Sequence, residues 1–441
     1  MLNSLGNINT IEDLINNYVN TTKEEKNIKK YLESLFGVFI TSSFVDENMN
    51  FFLINVCELL KNLDREDEYY NIALKSKSML YDKKENNILF RYYNIINENS
   101  TILNNIKWDN IVVNYIYPGL NIYLYYYDGK WELISETSLN YKYNNNDFGT
   151  LDIIYEKLIK RIDVDSLDKK YYYNIIYQNN KGKNIIDNCL INNTHDDFLY
   201  VSAFELYTNK CITYEINGLN KIPVLHFSCM HELMSKLEYL STENKINKKI
   251  TYSGFHLKIY ENNVNLMDVY KFSELYKKIK ENIDINENIY RVYMELYQKN
   301  KLSDILPYIS KYSNEIIHRL NVSVKTLSRE LLNIYHMTRK KKHKELYVLL
   351  PDLYKKILYG IHGVYINSRR KDIINREQQD YDESKSITIH DVYYYVKDLT
   401  SYQLIQLFKE RIELLKKKEF SDKMNNDCIH TLAQTKLMMN D

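Results

Sequence analysis

The chain is predicted to be an α+β protein, with antiparallel hairpins in its middle and helical segments at either end. Three observations predict this. Apolar residues recur at helical spacing over residues 1–68 and again over 283–441. Short β-rich runs bounded by Asn, Asp and Gly fill residues 69–282. Within them, Tyr127-Asp128-Gly129-Lys130 separates two strand-like runs, and Asp-Gly in that position is a strong hairpin signal.

The elements follow in order. Asn9-Thr10 caps a run with Ile11, Leu14, Ile15, Tyr18 and Val19 on one face, and Ile28, Tyr31, Leu32 and Leu35 continue the pattern. A further helix is expected over Phe51 to Leu63. Strands are expected at Ile88–Tyr93, Asn121–Tyr127, Trp131–Ile134, Phe198–Leu206, Cys211–Glu215 and Gly254–Tyr260, with helices at Thr150–Arg161 and His231–Leu240 between them. From residue 283 onward, Ile289, Val292, Tyr293, Leu296 and Tyr297 share a helical face. Leu346–Leu358, Val392–Leu399 and Leu404–Leu415 behave alike, with a helix start at Pro351. Asn144-Asn145-Asn146 and Arg376–Ser386 read as linkers.

The chain has 441 residues, enough for two or three domains at roughly 100–200 residues each. Lys+Arg total 59 against 58 Asp+Glu, which excludes a dominant basic arm or acidic tail but not a local basic face. No apolar run approaches the ~20 residues of a bilayer span, and Met1-Leu2-Asn3-Ser4 opens no signal peptide. The expectation is a cytoplasmic protein. Five dispersed cysteines without CxxC point to small buried side chains rather than a disulfide framework or zinc ribbon. The 43 tyrosines, with abundant Asn, Ile and Lys, share A/T-rich codons, so a tyrosine cluster first stands for phenylalanine.

One segment carries a family resemblance. Tyr115-Ile116-Tyr117-Pro118-Gly119-Leu120, running through Asn121–Tyr127 and Asp128-Gly129-Lys130-Trp131, resembles the nucleotidyl-lysine strand and hairpin of phage-type RNA ligases. These belong to the covalent nucleotidyltransferase superfamily, whose first motif is Lys-x-Asp-Gly. In the same order, Ala73–Tyr81 and Arg91–Glu98 resemble the segment before the lysine, and Trp108 its preceding aromatic. Phe204-Glu205-Leu206-Tyr207 and Cys211-Ile212-Thr213-Tyr214 resemble the third motif. Ser253-Gly254-Phe255-His256-Leu257 stands where the family has Glu-Gly-x-Val, and Lys271 where it has Lys-x-Lys.

The resemblance spans residues 70–280. It implies three parts: a helical N-terminal segment (1–68), an RNA-ligase-like nucleotidyltransferase (ATP-grasp-like ligase) domain (69–282) and an all-helical C-terminal domain (283–441). The codon bias suits a large DNA virus or another A/T-rich genome, which would place the protein in the host cytoplasm.

The departures are chemical. The nucleophilic lysine would attack the α-phosphate of ATP, and Ile116 stands in its place. Pro118 replaces the aspartate, Gly119 remains, and Ser253 replaces the fourth motif's glutamate. Val269 takes one of two phosphate-neutralising lysine positions. The resemblance leaves Glu205 and Lys271 as nucleotide-binding residues in a vestigial site. It implies a catalytically degenerate RNA-ligase-like protein, with no metal and no cofactor, that binds RNA. ATP and Mg enter only if a displaced lysine serves an active ligase. Lys130 in the hairpin turn and Lys181 and Lys183 in an exposed loop are poor substitutes. A third reading is a non-enzymatic subunit that docks a protein.

Arg339-Lys340-Lys341-Lys342-His343-Lys344 is the densest basic run, and Arg369-Arg370-Lys371 and Lys416-Lys417-Lys418 follow it. On one face these would bind RNA phosphates with marked salt dependence. His226, Cys229 and His231 lie close together in sequence, but their apolar setting favours packing over metal binding. Gly360 and Gly363 suggest a close helix approach around His362, itself a possible RNA contact but more simply a packed histidine with one hydrogen bond.

Overall fold

A computed structural model describes residues 107–135, 151–179, 196–283, 289–310, 313–339, 343–375 and 386–422, and the isolated elements at 11–22, 28–36, 40–44, 51–56, 79–82, 87–91 and 95–96. The chain divides into two compact units, Met1–Lys277 and Lys278–Asp441.

The first unit opens with α1 (Ile11–Thr22) and α2 (Ile28–Phe36), as the apolar spacing requires. Leu14, Ile15 and Leu32 are buried, and Tyr18 stacks on Tyr31 at 4.2 Å. The expected helix at Phe51–Leu63 does not form over its first half. Phe51–Val56 is a strand, β2, paired antiparallel with β1 (Ile40–Phe44). Its aromatic and β-branched content suits a pleated surface better than a helix. β3 (Met79–Asp82) and β4 (Asn87–Arg91) complete this sheet in the order β1-β2-β3-β4.

Two further sheets build the rest of the unit. One contains β7 (Leu120–Tyr127), β8 (Lys130–Ser135), β9 (Tyr171–Gln178), β10 (Asp197–Glu205) and β11 (Cys211–Ile212), in the order β11-β10-β9-β7-β8, with β12 (Asn220–Lys221) parallel to β10. The β7–β8 turn is the Asp-Gly hairpin, with φ of 45° at Asp128 and 86° at Gly129. Lys130 sits at its rim, paired with Glu132. One face of this sheet packs on Leu151, Ile154 and Leu158 of α3 (Leu151–Leu158). Part of its other face packs against Leu80 and Leu89 from the first sheet.

The other sheet runs β5-β14-β13-β6, with β5 at Ile95–Ile96, β6 at Ile111–Tyr115, β13 at Gly254–Glu261 and β14 at Val264–Phe272. Phe255, Leu257, Ile259 and Val269 pack on Leu233 and Leu237 of α4 (Met230–Asn247). α5 (Glu274–Asn282) follows β14.

The second unit is helical: α6 (Ile289–Gln298), α7 (Leu302–Ile309), α8 (Ser313–Arg339), α9 (Lys344–Leu349), α10 (Asp352–Asn375), α11 (Ile389–Lys397), α12 (Ser401–Leu415) and α13 (Lys418–Ser421). Capping boxes at Thr388/Asp391 and Thr400/Gln403 start α11 and α12. α10 begins directly after Pro351. A Cβ at Gly360 would strike the Tyr395 hydroxyl, so the glycine permits the approach of α10 to α11. His362 is packed, its Nδ1 2.9 Å from the Tyr335 hydroxyl. At the centre lies an ion pair with both side chains fully buried, Arg411 Nε donating to Glu330 Oε2 at 2.8 Å.

Two packing expectations fail. Cys229 is exposed rather than buried, and so are His226 and His231 beside it. Leu225, Phe227 and Met230 take the inward positions of that segment. Among the described residues, no group of three His, Cys, Asp or Glu converges as metal ligands. Cys57, Cys189, Cys428, Lys181, Lys183 and Asn144–Asn146 lie outside the described residues.

Candidate functional site

The cleft lies between the face of the β7-containing sheet turned away from α3 and the face of the β13–β14 sheet turned away from α4. Strand alternation fixes what enters it. On β13, Phe255 and Leu257 point to α4, so His256 and Lys258 point to the cleft. On β14, Val269 joins the α4 core, so Asp268 and Tyr270 line the cleft. Asn121 and Tyr123 enter from β7, Asn174 and Ile176 from β9, and Val201 from β10. The cavity they enclose measures about 50 Å³.

The loop 116–119 forms one wall. The Ile116 amide donates to Gly254 O at 3.0 Å, which ties the loop to β13. Gln178 Nε2 donates to Pro118 O at 2.8 Å, which ties it to β9. Gly119 has φ of 143°, and a Cβ there would lie 2.7 Å from both Ile176 Cγ2 and Tyr177 O. Only glycine meets both demands. Tyr115 stacks on Tyr252 at 3.9 Å, and Tyr117 meets the same ring edge-on at 5.6 Å. Burial raises the Tyr117 phenol well above its usual range, and neighbouring Tyr252 adds to it.

The polar floor is compact. Asp268 Oδ1 lies 3.0 Å from His256 Nε2 and accepts from Asn265 Nδ2 at 3.2 Å. The His256 ring stacks on Tyr270 at 4.4 Å and 11°. Lys258 sits directly opposite Asp268 in the strand register and is only 3% exposed. Burial holds its ammonium below the ordinary lysine range, and the Asp268 charge offsets this only in part. From the opposing sheet, Asn174 Oδ1 is buried without a hydrogen-bond partner.

The expected site residues divide. Ile116 lines the cleft, with Pro118 and Gly119 in the same wall. Ser253 is buried beside it, its carbonyl accepting from the Ser273 amide at 2.9 Å. Lys271 pairs with Phe255 across the sheet, on the face away from the cleft. Its one-residue offset from Tyr270 decides this, since successive strand residues face opposite ways. Glu205 closes the turn after β10 instead, accepting from Thr208 Oγ1 at 2.5 Å. Lys258, His256 and Asp268 were missed by motif matching; the alternation of Phe255, Leu257 and Ile259 with polar residues was the available signal.

Among the described cleft residues, the single carboxylate is engaged by His256 and Asn265, and the single lysine faces that carboxylate.

In the second unit, Arg339 ends α8 and Lys344 begins α9, both exposed. Lys340, Lys341 and Lys342 lie outside the described residues. Arg369, Arg370 and Lys371 fall within α10, with side chains likewise outside the description.

No protein-family profile matches the chain, and no curated protein matches it in sequence. RNA ligases are among its structural neighbours. The Naegleria gruberi RNA ligase, as a mutant with AMP and Mn, matches at 11% identity and a TM-score of 0.29, over 39% of this chain and 52% of that one. The same ligase with PPi matches at 11% identity and 0.29, over 43% and 59%. An archaeal ATP-dependent RNA ligase matches at 9% identity and 0.32, over 70% and 77%. The chain thus spans just over half the length of the Naegleria ligase.

Proposed function

We propose that this chain is an RNA-ligase-like protein that binds RNA and forms no nucleotidyl-lysine in its cleft. The observation that carries the reading is the wall residue Ile116, a hydrocarbon side chain lining the cleft where the resemblance requires the attacking amine. Support comes from the cleft's charge balance and from the turning of Lys271 to the other face. The basic stretch Arg339–Lys344, with Arg369, Arg370 and Lys371, supplies phosphate contacts that position RNA without reading its sequence.

The test is the intact mass of the full chain after incubation with ATP or GTP and a divalent cation. An unchanged mass is expected, beside an active ligase as positive control. A second reading, an active ligase with a displaced nucleophile, has one specific observation in its favour: Lys258 stands in the cleft. A nucleotide adduct mapped to Lys258 would establish it and overturn the first. RNA retention that weakens steeply between low and physiological salt, and drops on neutralising Arg339–Lys342, is the expected partner result. No retention at any salt would leave the cleft to a protein partner instead.

A further inference from the structure

Lys258 has no role in the reading above, and its setting is unusual for a lysine. It lies on β13, between β6 and β14, opposite Val112 on one side and Asp268 on the other. A lysine at a strand edge extends its stem and keeps its ammonium in water. One in a central strand, beneath an opposing sheet, has no such route. Lys258 lines the cleft and is only 3% exposed. Three other polar groups converge on the same small space. His256 shares its face two residues earlier, Asp268 holds the His256 ring, and Asn174 Oδ1 faces them from the opposing sheet without a donor.

We propose that Lys258 is a reactive amine that captures a small carbonyl compound, an aldehyde or ketone of a few heavy atoms, as an imine in the cleft. The size follows from the cavity, whose volume of about 50 Å³ is several times what one water needs, roughly 10–15 Å³. The class follows from the charges. A carbonyl compound enters neutral and asks for no surplus of cations, unlike a phosphate chain. Burial favours the uncharged amine, the form that has a lone pair to donate.

The step balances within the site. The amine lone pair forms a C–N bond to the carbonyl carbon, and the carbonyl π electrons move to oxygen, which takes a proton. The nitrogen loses a proton, giving a neutral carbinolamine. The carbinolamine oxygen then takes a second proton and leaves as water, while the nitrogen lone pair forms the C=N bond. His256, oriented by Asp268, moves these protons. Asn174 Oδ1 accepts from the carbinolamine hydroxyl. The protonated imine faces Asp268 as the ammonium does. The ionisable groups around Lys258 are Asp268, His256, Tyr115, Tyr117, Tyr123 and Tyr270 in the cleft, with Cys211 acting at longer range.

The experiment uses the full chain with glycolaldehyde and sodium cyanoborohydride near neutral pH, followed by peptide mapping. The expected result is reductive alkylation at Lys258 faster than at exposed Lys130, because burial leaves more of its amine uncharged. Lys258→Met should abolish that adduct and leave the Lys130 adduct unchanged. His256→Asn should slow trapping at Lys258 alone. Equal or slower labelling of Lys258 in the wild-type chain overturns the proposal, whether or not the variants fold. The readout is independent of nucleotide, so it stands apart from the adenylylation test.

Discussion

Single residues in the first unit carry distinct consequences. Gly119→Ala forces a left-handed φ on a residue whose Cβ space is already filled by Ile176 and Tyr177. A loss of about 1–3 kcal/mol is expected, read by urea denaturation. Gly129→Ala has open space and carries only the backbone cost, about 1 kcal/mol. Cys229 is exposed before α4, and the Glu232 amide, with smaller help from Ser228 and His231, holds its thiol below the ordinary range. More thiolate is present at a given pH, so iodoacetamide should label Cys229 ahead of Cys211 near neutrality. Lys258 has a depressed folded pKa, so the unfolded chain binds more protons between the folded value and the ordinary 10.5. Its cost to stability is full below that window and fades as pH rises through it. Lys258→Met should therefore stabilise the protein most at the acidic end of a pH series, with the gain shrinking as pH rises toward 10.5 in parallel melts. Of these features, Gly119 and Ile116 were legible in the motif. Lys258 was not, because the resemblance directs attention to Lys271, one residue beyond a cleft-facing position.

At the scale of elements, β7–β8 and β13–β14 show what pattern alone conveys. The Asp-Gly turn set the first hairpin's register, because its two positive φ values match the strand twist. The face of β14 needed the neighbouring helix: Val269 is buried against α4, and only then do Asp268 and Tyr270 belong to the cleft. β2 was mistaken for a helix because a short apolar run without clear alternation supports either element. In the helical unit, the pair Arg411–Glu330 joins α12 to α8 with no exposure of either side chain. Arg411→Met alone leaves Glu330 charged and buried, and about 3–5 kcal/mol of stability should be lost. Adding Glu330→Leu should recover much of it, a non-additivity that a double-mutant cycle by chemical denaturation would reveal.

For the molecule as a whole, the 43 tyrosines shape much of the packing. Tyr173, Tyr177 and Tyr200 sit in the core of the β7-containing sheet, and burial raises each phenol above the ordinary 10. A raised folded pKa contributes stability that is present below pH 10 and lost as pH climbs beyond it. Alkaline titration should show a late, cooperative rise of phenolate absorbance that coincides with loss of far-UV circular dichroism. Gradual ionisation without unfolding would contradict this packing. The composition suggested that these rings stand in for phenylalanine, but Tyr173 donates its hydroxyl to Asp168 O at 3.0 Å and Tyr177 accepts from Lys157 Nζ at 3.1 Å. Around the cleft, Tyr115 stacks on Tyr252, Tyr117 meets the same ring edge-on, and Tyr270 stacks on His256.

The amino-acid sequence by itself determined the local elements: helices by apolar spacing, hairpins by Asp-Gly, helix starts by Pro351 and the threonine caps. It also determined that position 116 carries no amine. These are consequences of neighbouring residues and are written within a few positions of where they act. Which residues share the cleft was decided only by the tertiary structure. Lys258, Asp268 and Asn174 come from three strands in two sheets, and each faces the cleft because an opposite neighbour is drawn into an apolar core. Burial against α3 and α4 chooses the faces, and that choice depends on contacts distant in sequence.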